Sequence, residues 1–164
     1  MGFKKPHIAV VLGLVALFVA LIFQIIAVAA TGWYKQKYSE TTYGLWGICT
    51  SATCADYTSV SDTIKATRAF ALLGLIVIIF ALAAGILIMF IDKKVMNIIA
   101  GGVAIAAGVF VLIGIGIFLG TYLHDTIIAN TLQYYQLSYC FALTVVAFVL
   151  CIASGIAFIL PNIL

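Results

Sequence analysis

Long apolar runs broken by short polar stretches make up almost the whole chain. Residues 8–30 carry no charge, and neither do residues 69–91. Residues 95–123 are also uncharged, with 98–119 as the part expected in the membrane. The last run, 126–164, lacks charge too, but NTLQYYQLS at 130–138 is too polar to bury, which leaves 138–160. A helix of about 20 apolar residues crosses the hydrocarbon core of a bilayer. The pattern therefore predicts four membrane-spanning helices, at about 8–30, 69–91, 98–119 and 138–160. They form one domain over 1–164, joined by a larger loop at 31–67, a tight turn at 92–97 and a small loop at 120–137.

Composition supports this class. Of the 164 residues, 66% are hydrophobic and 8% charged, whereas soluble domains carry about 25% charged residues. The lipid bilayer is the first partner, and no nucleic-acid partner is expected. Lys4, Lys5 and the small residues Ala27-Val28-Ala29 imitate a secretory signal. Signal cores run only about 7–15 residues, so the first segment is read as a retained span.

Lysine and arginine set the orientation. Lys4 and Lys5 crowd the N-terminal stub, and Lys93 and Lys94 crowd the 92–97 turn. Lys35, Lys37, Lys65 and Arg68 lie on the other side, spread over a longer loop. The numbers tie, but dense basic residues beside spans mark the cytoplasm. Cysteine chemistry agrees, because Cys49 and Cys54 can pair only in an oxidising compartment. Both termini are expected in the cytoplasm, the 31–67 and 120–137 loops outside, and the chain in the plasma membrane.

The 31–67 loop favours strands, being rich in Tyr, Thr and Trp. WYKQKY at 33–38, TTYGLWGIC through 49 and TCADYT at 53–58 read as three. The four residues 50–53 form a hairpin loop of ordinary length, which sets Cys49 opposite Cys54 within reach of a disulfide. That bond is read as a local clip. Ser61 can cap a following helix, with Asp62 favourable in its first turn. Arg68 then stands at the membrane boundary, where it either snorkels to headgroups or ties the sheet to the helix top.

The spans contain no Asp, Glu, Lys, Arg or His. Pumps, ion-coupled transporters and voltage sensors use such groups at membrane depth. Gln24, the amide well inside a span, is read as an interhelical hydrogen bond. Cys140 and Cys151 are read as small packing residues. Small residues recur every fourth position: Ala81 and Gly85; Ala100, Ala104 and Gly108; Gly116 and Gly120; Ala147, Cys151 and Gly155. Close packing within the bundle is their expected use. His7 and His124 fall on opposite sides of the membrane, and His124-Asp125 in the 120–137 loop offers neither a nucleophile nor a metal set. No enzyme activity, cofactor or metal is expected.

Trp33, Gly44-Leu45-Trp46, Cys49, Cys54 and Arg68, in a four-span chain with a larger first outer loop, closely resemble the claudin signature. The wider superfamily holds the peripheral myelin protein and epithelial membrane protein group and the channel gamma subunits, and 138–156 resembles its fourth span. This short first loop and tight cysteine spacing depart from typical claudins. The resemblance implies an all-α, left-handed transmembrane four-helix bundle with a small extracellular antiparallel β-sheet. It also implies that Trp33 and Gly44-Leu45-Trp46 seat the sheet on the helices.

The function so implied is claudin-like: organisation of cell-cell junctions or adhesion, in a form that includes a paracellular barrier. Copies would associate in cis and, through the outer loops, in trans. Tyr34, Tyr38, Tyr43, Tyr57, Tyr134 and Tyr135 would supply contact surface. Lys35, Lys37, Glu40, Asp56 and Asp62 are the candidate contact or selectivity residues, and their charges nearly cancel. The alternatives are an accessory, gamma-like subunit with a channel or receptor partner, and a membrane organiser resembling the myelin and epithelial membrane proteins.

Overall fold

The computed structural model describes residues 7–91, 93–128 and 135–163. Lys4, Lys5 and Tyr134 lie outside the described residues, as do the side chains of Asp125 and Tyr135. The elements run α1 (Ile8–Ala29), β1 (Tyr34–Gln36), β2 (Thr42–Tyr43), β3 (Gly47–Cys49), β4 (Cys54–Asp56), α2 (Asp62–Phe90), α3 (Lys94–Ile128), β5 (Tyr135–Leu137) and α4 (Tyr139–Ile163). All four helices are long and apolar enough to cross a membrane. They form the expected bundle, with the small antiparallel sheet at one end.

The helix starts follow local chemistry. His7 caps α1, its Nδ1 accepting from the Ala9 N–H at 3.3 Å. Ser61 caps α2 as expected, its hydroxyl accepting from the Ile64 N–H at 3.4 Å, with Asp62 in the first turn. Three helices outrun their predicted spans: α2 starts at Asp62, α4 ends at Ile163, and α3 exceeds its span the most. At about 1.5 Å per residue, α3 is roughly 52 Å long, well beyond the ~30 Å hydrocarbon core. It begins within the predicted 92–97 turn and continues into the predicted 120–137 loop as far as Ile128, so His124 stands on a helix. Hydropathy marks where apolar residues stop; a helix continues until its backbone meets a breaker, and 120–128 contains no Pro.

Small residues let the helices meet closely. Ala100, Ala104, Ala147 and Cys151 are fully buried. A Cβ on Gly155 would lie 2.8 Å from the Gly101 carbonyl oxygen, so α3 and α4 nearly touch backbone to backbone. The Ser154 hydroxyl donates to the Gly13 carbonyl at 2.8 Å, tying α4 to α1. Gln24 makes the expected interhelical bond, its Nε2 donating to the Ala71 carbonyl of α2 at 3.1 Å. Gly116 and Gly120 depart from expectation: nothing lies within 4 Å of a Cβ at either, so they face outward. Helical phase separates them from the buried face that carries Ala100, Ala104, Ala107 and Val111.

Among the described residues the sheet has five strands in the order β4-β3-β2-β1-β5, antiparallel at every pair. The predicted strand over 42–49 is two strands. The chain reverses at Gly44-Leu45-Trp46, and the Gly44 N–H donates to the Gly47 carbonyl at 2.9 Å. The fifth strand, Tyr135–Leu137, comes from the segment read as loop; it pairs with β1 in the register Tyr34 to Leu137 and Lys35 to Gln136. Cys49 and Cys54 face each other across β3 and β4, with Cα atoms 4.0 Å apart, and form the expected disulfide. They are five residues apart, so loop closure contributes only about 2 kcal/mol on the chain-entropy estimate. Cys49→Ser is expected to lower unfolding stability by about that amount. Denaturant titration of oxidised wild type, reduced wild type and the variant checks it; the last two should coincide.

Candidate functional site

The site is the seam where the sheet meets the helix ends. A helix ends with backbone carbonyls that have no intrahelical partner. In α1, the Ile26 carbonyl is met by the Ala30 N–H at 2.9 Å. The next two carbonyls are met by tryptophans from the loop that follows. Trp33 Nε1 donates to the Ala27 carbonyl at 2.7 Å, and Trp46 Nε1 donates to the Val28 carbonyl at 2.9 Å. Both indoles therefore cap α1, a task suited to a side chain with an apolar body and one donor.

Their surroundings differ. Trp33 is 1% exposed and sits edge-on to Phe118 of α3 at 4.8 Å, with Phe141 of α4 at 6.5 Å. With Leu45, Val28, Ala71 and Cys140 it forms a second core cluster under the sheet. Trp46 is 41% exposed and lies at the rim. Tyr34 and Tyr43, paired across β1 and β2, stack at 4.5 Å.

The reversal at Gly44-Leu45-Trp46 leaves three carbonyls outside any ladder, and each has a donor. Tyr57 supplies two: its hydroxyl donates to the Gly44 carbonyl at 2.9 Å, and its N–H to the Trp46 carbonyl at 3.2 Å. Arg68 of α2 supplies the third, its Nε donating to the Leu45 carbonyl at 2.6 Å. The Arg68 Cζ also lies over the Trp46 ring, 4.6 Å from its centroid, in cation–π range. Of the two roles open to Arg68 in the sequence, its Nε performs the tie from sheet to helix. The seam thus joins α1, the turn and α2.

The structure brings together Trp33, Gly44, Leu45, Trp46 and Arg68, and adds Tyr57, Phe118 and Phe141. By sequence Tyr57 reads as part of the 53–58 strand and as contact surface; it lies just past β4, and no spacing rule singles it out as a donor to the turn. Lys35, Lys37, Glu40, Asp56 and Asp62 do not gather at the seam. All five are exposed; Lys35 is on β1 and Asp56 on β4, three strands away. Asp62 lies 3.7 Å from Lys65 in an exposed pair, a kind worth little. Among the described residues no three His, Cys, Asp or Glu side chains could hold a metal ion.

Burial holds the Tyr57 hydroxyl above the usual tyrosine range; nearby Tyr43 adds to this and Arg68 opposes it. A folded-state pKa above the unfolded value means the contribution is complete below about pH 10 and is lost as pH rises through the folded value. Tyr57→Phe is expected to cost about 1 kcal/mol at neutral pH. It should also flatten the stability decline above about pH 10. Thermal unfolding of both proteins in detergent across that range checks the sign.

A four-helix bundle with charge-free apolar spans and a tryptophan-tied, disulfide-clipped sheet defines a class of tetraspan membrane protein. The chain belongs to the PMP-22/EMP/MP20/Claudin family, whose family model matches residues 7–158. It is similar to epithelial membrane protein 1 of Mus musculus, with 27% identity over 136 residues, 81% of this chain and 84% of the relative. The Rattus norvegicus protein of that name is 28% identical over the same shares, and the Homo sapiens protein 27% over 124 residues, 74% of this chain and 73% of the relative. The family is one of non-enzymatic membrane proteins.

Proposed function

We propose that the protein organises the membrane in which it sits, by lateral association within one bilayer and without catalysis. The observation that carries this reading is the absorption of the first loop by the seam. Between α1 and α2 the chain is spent on four short strands and their ties to the helix ends. Outside the strands this leaves only short links, such as 37–41 and 50–53. Such a platform has little reach toward an opposing membrane. The outward helix faces are broad and apolar, as Phe18, Phe80 and Val149 illustrate.

In this reading the sheet faces outside and both termini face the cytoplasm, because the Cys49–Cys54 bond needs an oxidising compartment. Lys93 and Lys94 stand at the opposite end of the bundle. The location is the plasma membrane. Lys35, Lys37, Glu40, Asp56 and Asp62 are exposed on the platform side and serve as contact residues for neighbouring copies.

The test is localisation of a tagged copy in confluent cells, mixing expressing and non-expressing cells. Even distribution, with clusters inside single membranes, supports the proposal. Enrichment only where two expressing cells touch overturns it in favour of junctional adhesion or a paracellular barrier. Stoichiometric co-purification of a channel or receptor overturns it in favour of an accessory subunit.

A further inference from the structure

The tie made by Arg68 uses only part of its guanidinium. That group is a cation with five N–H donors in a planar fork. One donor, on Nε, goes to the Leu45 carbonyl. One face lies over Trp46. Its two terminal amino groups, Nη1 and Nη2, have no hydrogen-bond partner among the described residues. The described ion pair in this region is between Lys65 and Asp62, one turn nearer the helix start. Among the described residues, Arg68 is thus a half-buried cation without a carboxylate. A charge held there without a counter-ion is costly.

Its depth says what can supply that counter-ion. Arg68 directly precedes the charge-free stretch 69–91, which places it where hydrocarbon gives way to headgroups. The rim tryptophan beside it, Trp46, is the residue type enriched at that level. The anion present there at highest density is the lipid phosphodiester, whose oxygens match two parallel guanidinium N–H groups. Lys65, three residues earlier on α2 and exposed, extends the same positive strip toward water.

We infer that the Nη edge of Arg68, against the exposed rim of Trp46, binds the phosphodiester of a phospholipid in the leaflet on the sheet side. The seam then has a lipid as its fourth member. This holds whatever role the protein plays in the membrane.

Arg68 is the one arginine in the chain, so labelled arginine reports this site in the unmodified protein. Protein carrying 13C,15N-arginine and 15N-lysine would be placed in phosphatidylcholine vesicles in phosphate-free buffer. Solid-state NMR with 31P recoupling then reads the loss of signal at the guanidinium Cζ and at lysine Nζ. The expected result is clear 31P-dependent loss at Arg68 and little at the lysines. Full retention of the Arg68 signal, or equal loss at arginine and lysine, overturns the inference. A second sample, in galactolipid vesicles with inorganic phosphate, separates the sources. Loss there, without loss in phosphatidylcholine, means free phosphate is the ligand and overturns the lipid assignment.

Discussion

Trp33→Ala is expected to cost about 3–5 kcal/mol, the range for emptying a large buried aromatic site. Trp33 fills the centre of the cluster below the sheet, touching Phe118 and Phe141, at 1% exposure. Its removal leaves a cavity between three helices and strips the Ala27 carbonyl of its donor. Trp33→Phe separates the two contributions. The ring volume is largely kept and the indole N–H is lost, so about 1–3 kcal/mol is expected. Denaturant titration in detergent micelles, with surface arrival in cells as a second readout, checks both. Equal stability of wild type and Trp33→Ala would mean that the sheet is not seated through this residue.

The next largest effect is expected at a glycine. A Cβ on Gly44 would lie 2.6 Å from the Thr31 Cα and 2.9 Å from the Ala30 carbonyl oxygen. Both are backbone atoms, so no rotamer change relieves the clash. Gly44→Ala must push the turn away from the end of α1, which lengthens the Trp46 bond to Val28 and the Arg68 bond to Leu45. Overpacking costs about 1–3 kcal/mol, and the upper end is expected because two ties move together. Gly116→Ala is the control. Nothing lies within 4 Å of its Cβ, and alanine is the better helix former, so stability should hold or rise slightly. If the two variants behave alike in the same titration, the close approach at Gly44 is not what holds the turn.

Both predictions rest on residues that the sequence singled out. Trp33, Gly44, Leu45, Trp46 and Arg68 were legible as a motif that seats the sheet on the helices, and Cys49–Cys54 as a hairpin clip. The bonds that do the seating were not legible, because each depends on a group distant along the chain. The two indoles bond α1 carbonyls six and eighteen residues earlier. Arg68 bonds a carbonyl 23 residues away. Tyr57 had no distinguishing spacing, and its role appears only once the turn presents the Gly44 carbonyl. Residues 135–137 read as polar loop because a three-residue strand at a sheet edge carries no periodicity of its own. β1 supplies its pairing.

By itself, the sequence determined the four spanning helices, the caps at Ser61, the clip at Cys49–Cys54 and the polar bridge at Gln24. These follow from local apolar length, local capping chemistry and a turn that spans four residues. The tertiary structure alone decided which small residues face a neighbour, that α3 runs on past its apolar stretch, how the turn splits one expected strand into two, and what satisfies its carbonyls. The physical reason is range. Hydropathy and capping act over a few residues, whereas orphan carbonyls and close backbone approaches are met by whatever part of the chain the bundle brings beside them.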